Sequence, residues 1–272
     1  MKKFLTLLLT VVMGIVSVFA FAGCDDKTIK IGAQEGTTSL MYAECLKGTT
    51  VSSFTTFPLA AEAMKNGNVD YVVCDKATAI SICNNISGIK YIDIALSTEF
   101  YGIAMDKNQP ALNASINEVL AEKSAEIQVI IDKYVAGDSD NYVGVTSAVK
   151  DVNNKAGQLV VATNAEFAPW EYKSGEQYYG IDMEIAKLIA TELEMELVID
   201  DMAFESVVSS VGNHAIDIAM SGITITNERK EIVNFSTSYY TESIVLLCKA
   251  NDNSFASAGT VVDVLNVLCK NK

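Results

Sequence analysis

From residue 28 to about residue 250, short apolar runs alternate with helix-forming stretches, and this rhythm constrains the fold more than any other feature. The runs 28–33 (TIKIGA), 50–56, 69–74 (VDYVVC), 89–95 and 100–105 (YGIAMD) predict strands. Between them lie a helix from Gly36-Thr37-Thr38-Ser39 to Leu46, one from Pro58 to Asn66-Gly67, one through Cys83, and a long amphipathic helix over 110–135. Thr37 or Thr38 suits an N-cap, and Pro just inside a start with Gly just past an end is the expected asymmetry. A second series follows, with strands at 158–163 (QLVVAT), 196–200, 215–220 (AIDIAM) and 240–249, and helices at 181–194, 204–212 and 226–232. The stretch 136–157 is rich in Gly, Ser, Asp, Asn and Lys without an apolar period, and reads as a linker. A weak helical pattern closes the chain at 260–269. Strands separated by helices imply an α/β fold of parallel sheets covered on both faces.

One unit recurs. Asn66-Gly67-Asn68-Val69-Asp70-Tyr71-Val72-Val73 and Gly212-Asn213-His214-Ala215-Ile216-Asp217-Ile218-Ala219 each end a helix and start a strand with an early Asp. Each strand then empties into a polar turn, Cys74-Asp75 in one case and Ser221-Gly222 in the other. This predicts two lobes of similar plan whose strand C-termini face a crevice, where open α/β sheets bind ligands. Chance recurrence of a common helix–strand unit would give the same letters.

Export is written at the start of the chain. Lys2 and Lys3 precede an apolar run that ends in Phe21-Ala22-Gly23-Cys24, so residues 1–23 read as a secretory signal. A membrane anchor is the competing reading of so long an apolar run. The small-small-Cys ending resembles the bacterial lipobox, with Phe21 where Leu is usual. That resemblance implies lipidation of Cys24, a short tether at 24–27, and a location on the outer face of the cell membrane. Cys45, Cys74, Cys83, Cys248 and Cys269 show no CxxC or zinc spacing and read mostly as small core residues, with one disulfide left open. A net charge of −14 excludes a general basic footprint for nucleic acid. His214 is the only histidine, which excludes a His-rich metal site and leaves any Ser-His-Asp triad dependent on it.

The richest chemical stretch is Gly222-Ile223-Thr224-Ile225-Thr226-Asn227-Glu228-Arg229, where N–H groups and hydroxyls precede a helix. Arg229 is the only arginine in a chain that otherwise uses lysine, and its planar fork suits a carboxylate; a solvated surface role is the alternative. Gly36-Thr37-Thr38 offers a second cradle, or an ordinary Thr-capped helix. Asp75 at a strand end suits an ammonium group, or a plain N-cap. Phe167, Trp170 and Phe204 follow strand ends and serve either a pocket wall or the core. Glu166, Glu171 and Glu184 form no obvious acid/base set.

The segments IGAQEGTTSLMYAE (31–44), VVATNAEFAPWEY (160–172), YGIDMEIAKLIATEL (179–193) and AIDIAMSGITITNERKEIVNFSTSYY (215–240) resemble polar amino-acid solute-binding proteins of ATP-binding-cassette importers. The resemblance implies the two-lobed type II periplasmic-binding-protein fold with two crossover hinge strands. The order departs from the family: the part resembling its first lobe comes second here, so the chain reads as a circular permutant. One lobe would comprise 28–98 plus 252–272 and the other 99–251, with 136–157 joining the family's natural ends. The crossings are expected near 96–101 and 246–251, and Val261, Val262, Leu265 and Leu268 are expected to bury a tail helix.

The resemblance also implies roles. Arg229 would clamp an α-carboxylate, with Thr224, Thr38 and Thr37 at the same end. Asp75, with Gly222 and Ser221 beside it, would take the α-ammonium. Phe167 and Phe204 would sandwich the ligand side chain, with Asn164, Gln34 and Cys74 near its tip. Asn164 stands where family members that bind basic amino acids commonly have Asp, which favours a neutral polar ligand over arginine or lysine. The function implied is capture of an L-amino acid for a membrane permease by a lipid-anchored monomer, with no metal, cofactor, nucleic acid or catalysis. A ligand sensor and a dehydratase-like enzyme are the alternatives on the same fold.

Overall fold

The computed structural model describes residues 28–212 and 216–269. The signal at 1–23, Cys24, the tether at 24–27 and His214 lie outside the described residues. Strands β1 (Ile29–Gln34), β2 (Thr49–Phe54), β3 (Tyr71–Asp75) and β4 (Ile89–Tyr101) alternate with helices α1 (Thr38–Glu44), α2 (Phe57–Lys65) and α3 (Lys76–Asn85). Next come β5 (Ala104–Met105), α4 (Pro110–Glu122) and α5 (Ser124–Val135). The second series runs β6 (Gln158–Thr163), β7 (Glu166–Phe167), β8 (Glu171–Ser174), β9 (Gln177–Tyr179), α6 (Ile181–Glu192), β10 (Glu196–Asp201) and α7 (Phe204–Gly212). It ends with β11 (Ile218–Ala219), α8 (Asn227–Lys230), β12 (Asn234–Phe235), β13 (Tyr240–Lys249) and α9 (Val261–Leu268). Among these described residues no helix is long and apolar enough to cross a membrane.

Two sheets result, ordered β2-β1-β3-β13-β4 and β10-β6-β11-β5-β12, with a small third sheet β7-β8-β9. The expected parallel pairing holds for β1 with β2 and β3, and for β6 with β10 and β11. It fails for β13 and β5, which pair antiparallel because each enters its sheet from the other half of the chain. Alternation decides which side chains face which layer. Val72, Cys74, Val245 and Leu247 pack with the α2 and α3 side, whereas Tyr71, Val73, Ile244, Leu246 and Cys248 pack with Ala43 of α1 and Val264 of α9.

The repeated helix–strand unit has a shared physical basis. Asp70 Oδ2 accepts from the Lys30 N–H at 2.9 Å, and Asp217 Oδ2 accepts from the Val160 N–H at 2.8 Å. Their own N–H groups donate back to the carbonyls of Lys30 and Val160. Each Asp thus fastens the start of one strand to its neighbour, once in each lobe.

Several boundaries differ from expectation. The chain over 89–105 divides differently: β4 runs on to Tyr101, paired with β13 from Tyr240 opposite Tyr101 to Lys249 opposite Ile89, and only Ala104–Met105 of the expected 100–105 strand stands apart, as β5 in the other sheet. β3 pairs with β13 at Ile244–Leu247, so 240–243 extends past it with β4 alone, and the link between lobes lies there rather than at 246–251. The 110–135 helix breaks at Lys123, whose φ of −98° and ψ of 15° leave the helical range. The 136–157 linker is anchored by polar groups that an apolar pattern does not reveal. Tyr142 stacks on Tyr134 at 4.0 Å, and Glu184 accepts from Tyr134 OH, Val143 N–H and Lys133 Nζ.

The tail docks on the first sheet. α9 opens with a Thr260/Asp263 capping box. Its buried positions are Val264 and Leu268, while Val262 is 59% exposed; the four-residue spacing, one helical turn, selects that face. Replacing Leu268 with Ala should therefore destabilise the fold by about 2–5 kcal/mol. Truncation after Asn251 should lower Tm further, since it also removes Phe255 and Val264 from the same cluster. Thermal unfolding of both variants unchanged from the parent would show that the docked tail adds nothing to stability.

Candidate functional site

Four strand C-termini converge on a cleft between the sheets. β1 ends at Gln34, and the turn that follows requires Gly36 at φ +75°, where an added Cβ would sit 3.1 Å from Glu205 Cα of the other lobe. Thr37 then caps α1, donating to Gln34 O at 2.6 Å and accepting from Leu40 N–H at 3.1 Å. β3 ends at Asp75. On the facing side β6 leads into Asn164, and β11 leads into Ser221 and Gly222, the latter at φ +53°. A Cβ on Gly222 would lie 2.5 Å from Phe167 Cε1, so this turn admits only glycine.

Arg229 sits on the short helix α8, capped by Thr226. Its guanidinium donates to Thr224 O at 2.8 Å and, across the cleft, to Gly36 O at 3.1 Å, and it lies over the Phe204 ring at 5.8 Å. Further contacts cross the cleft: Gln34 Nε2 donates to Asn164 Oδ1 at 3.2 Å, Thr38 and Thr224 hydroxyls meet at 3.4 Å, and Phe57 faces Phe167 at 5.7 Å. The cavity enclosed is about 10 Å³, the room of about one water.

The electrostatics are one guanidinium among buried carboxyls. Burial pushes the Asp75 carboxyl well above its ordinary range, and Glu99 and Glu242 add to this while the Tyr101 hydroxyl, 2.8 Å away, opposes it. Glu242 is pushed up to about 7 by burial, against hydrogen bonds from the Ser243 and Ala77 N–H groups. Glu99 stands opposite Glu242 on the paired strands and accepts from the Thr224 hydroxyl at 2.8 Å. Burial lowers the Arg229 pKa, while Glu99, Tyr101 and Asp75 oppose that shift.

Of the residues singled out in the sequence, Gln34, Thr37, Thr38, Asp75, Phe167, Phe204, Gly222, Thr224 and Arg229 line this cavity, joined by Phe57. Asn164 and Ser221 stand just behind it: Asn164 meets Gln34 and also donates to Met202 O at 3.0 Å, and the Ser221 hydroxyl donates to Glu171. Cys74 is misplaced by the sequence reading. It is fully buried on the helix-covered face of β3, because alternation turns it away when Asp75 turns toward the cleft. Phe57 and Glu99 are missed by the sequence reading: Phe57 falls just before the expected helix start at Pro58, and Glu99 between the expected strands 89–95 and 100–105. Trp170 is fully buried rather than on the cavity wall, and Glu166 is exposed on β7.

Residues 159–269 match the family described as bacterial extracellular solute-binding proteins, family 3. It is 37% identical over 92 residues to the arginine-binding extracellular protein ArtP of Bacillus subtilis (strain 168), covering 34% of this chain and 36% of that protein. It is 30% identical over 95 residues to the ABC transporter arginine-binding protein 1 of Escherichia coli (strain K12), 35% of this chain and 39% of that one. It is also 34% identical over 86 residues to the cyclohexadienyl dehydratase of Pseudomonas aeruginosa, 31% of this chain and 32% of the enzyme. The chain thus matches these curated relatives over about a third of their length.

Proposed function

We propose that this chain is an extracytoplasmic binding protein that closes two lobes over a zwitterionic L-amino acid and delivers it to an ATP-binding-cassette permease. One observation carries the reading: Arg229 and Asp75, one guanidinium and one carboxylate, line a single cavity from opposite lobes. The α-carboxylate of the ligand would take the Arg229 fork, and its ammonium would take Asp75 and Gly222 O. Entry requires the lobes to part, because the cavity holds about one water and is bridged by Gln34–Asn164 and Arg229–Gly36. The paired 98–101 and 240–243 ribbon is the hinge in this reading.

The ligand's side chain is uncharged in this proposal. Gln34, Phe57, Phe167 and Phe204 line that part of the cavity, and Asn164 behind them is neutral. A thermal-shift screen of the twenty amino acids should give its largest shift with a neutral polar one. A largest shift with arginine, which two of the relatives are named for binding, would overturn the uncharged reading. A product assay run alongside tests the dehydratase alternative, which the similarity to the Pseudomonas enzyme raises. Glu166, the acid that alternative would use, is exposed and off the cavity lining.

Binding should release protons. Asp75 holds its proton above the ordinary carboxylate range because it is buried, and a bound ammonium favours the ionised form, so affinity should rise with pH through that range. Calorimetry in two buffers of different ionisation enthalpy should reveal the release, and Asp75→Asn should abolish it. No dependence on buffer would remove Asp75 from the ammonium end.

Anchoring by a lipid on Cys24, a monomeric state and circular permutation belong to the same proposal. The family segment 159–269 runs unbroken from β6 to α9, yet β1 to β4, which complete the first sheet around β13, precede it in this chain. The segment 136–157 would then join what the family leaves as its two ends.

A further inference from the structure

Two carboxyl groups lie fully buried behind the Ser221–Gly222 turn: Glu171 in β8 and Asp182 in α6. Asp182 accepts from the Gly222 N–H at 2.8 Å and from the Tyr239 hydroxyl at 2.8 Å. Glu171 Oε1 accepts the Ser221 hydroxyl, which in turn accepts from the Asn164 N–H at 3.3 Å. Glu171 Oε2 has no N–H or O–H partner among the described residues, and the Asp182 carboxyl lies within hydrogen-bonding reach of the Glu171 carboxyl. Among the described residues no lysine or arginine pairs with either group. The other titratable groups facing them are Tyr239, committed to Asp182, and Asp201 of β10, a further negative charge that accepts from the Ala165 N–H at 2.9 Å. Two touching carboxyls without a cation cannot both ionise, and a lone buried oxygen left unpaired is unfavourable.

We propose that Glu171 is a neutral carboxylic acid whose Oε2 hydroxyl donates to Asp182, and that this proton positions the turn presenting Gly222 and Thr224 to the cleft. With it in place every buried oxygen of the pair has a partner, and Asp182 is free to hold the Gly222 N–H. Burial first, then the Asp182 charge, push the Glu171 carboxyl well above its ordinary range, in keeping with that assignment. Glu171 is therefore a positioning residue, one step removed from any ligand.

The pH sign follows from linkage. A carboxyl that keeps its proton above the unfolded value of about 4.3 makes the native state bind more protons than the unfolded state. Stability from this group is complete below that value and is lost as pH rises toward the folded pKa. Glu171→Gln keeps a donor toward Asp182 and an acceptor for Ser221 without a titrating proton. Urea unfolding from about pH 5 to about pH 9 should show the stability difference moving steadily in favour of Glu171→Gln as pH rises. The wild-type protein should carry a protonated-carboxyl C=O stretch in infrared difference spectra at neutral pH that Glu171→Gln lacks. A constant deficit for Glu171→Gln at every pH, or no difference in that band, overturns the assignment.

The positioning role rests on the amino-acid-binding reading and is tested with the amino acid giving the largest melting shift. Glu171→Gln should keep its affinity within about threefold, whereas Glu171→Leu, which cannot accept from Ser221, should lose roughly tenfold. Equal loss in both variants overturns the role. If no amino acid shifts the melting, the binding reading fails, while the two ligand-free measurements still decide where the proton is.

Discussion

Arg229→Ala should abolish tight amino-acid binding. Removing one partner from a buried charge pair costs about 3–5 kcal/mol, which is roughly two to more than three decades in Kd. The geometry makes that estimate specific, because Arg229 is half-buried and its guanidinium already bridges the lobes through Thr224 O and Gly36 O. The ligand's carboxylate would exchange those two neutral acceptors for a charged, bidentate one. Arg229→Lys should recover little, since an ammonium supplies no fork and cannot lie flat over Phe204. Isothermal calorimetry on the three proteins checks this. Affinity unchanged in Arg229→Ala would detach this residue from the ligand altogether, and full rescue by lysine would reduce its role to plain charge.

Why Arg229 was legible in the sequence, and Glu99 was not, is a matter of local context. A single arginine in a lysine-using chain, placed three residues after the Thr226 cap, advertises a geometric requirement. Gly36, Gly222 and Asp75 were likewise readable, because strand ends followed by turns mark the crevice of an open sheet. Glu99 lies within a strand, where alternation says nothing about a second lobe folding over it. Its burial comes from β13 crossing beside it and from Thr224 arriving from the other side. Cys74 failed for the opposite reason. Proximity to Asp75 in sequence suggested the cleft, but adjacent residues on a strand face opposite ways.

The same distinction governs the fold. Strong apolar periods gave β1, β6, β13 and α2 nearly to the residue. Short elements such as β7 and β12 have two residues each, too few for any period to register. Their existence depends on neighbours distant in sequence, as β5 does between β11 and β12. Even the linker's anchorage rests on Glu184 collecting three donors, a polar arrangement that hydrophobic patterning does not encode.

Trp170→Ala should be the most damaging core substitution, lowering stability by about 3–5 kcal/mol. Trp170 is among the largest fully buried side chains and packs edge-on against Tyr101 at 4.9 Å and Tyr240 at 4.7 Å. Those tyrosines are directly paired on the two strands that link the lobes, and Tyr101 holds Asp75 by its hydroxyl. The indole therefore fills the joint between hinge and cleft, and the backbone around it is equally tight: a Cβ on Gly180 would fall 2.1 Å from Trp170 O. At roughly 2–4 °C per kcal/mol for a chain of this size class, Trp170→Ala should lower Tm by roughly 6–20 °C. Trp170→Phe should lose much less, because the indole N–H has no hydrogen-bond partner among the described residues and only volume is removed. Since Tyr101 would lose its support, ligand affinity should fall with stability in the alanine variant and largely return with phenylalanine. A Tm for Trp170→Ala within a degree or two of the parent would mean that the hinge does not depend on this ring.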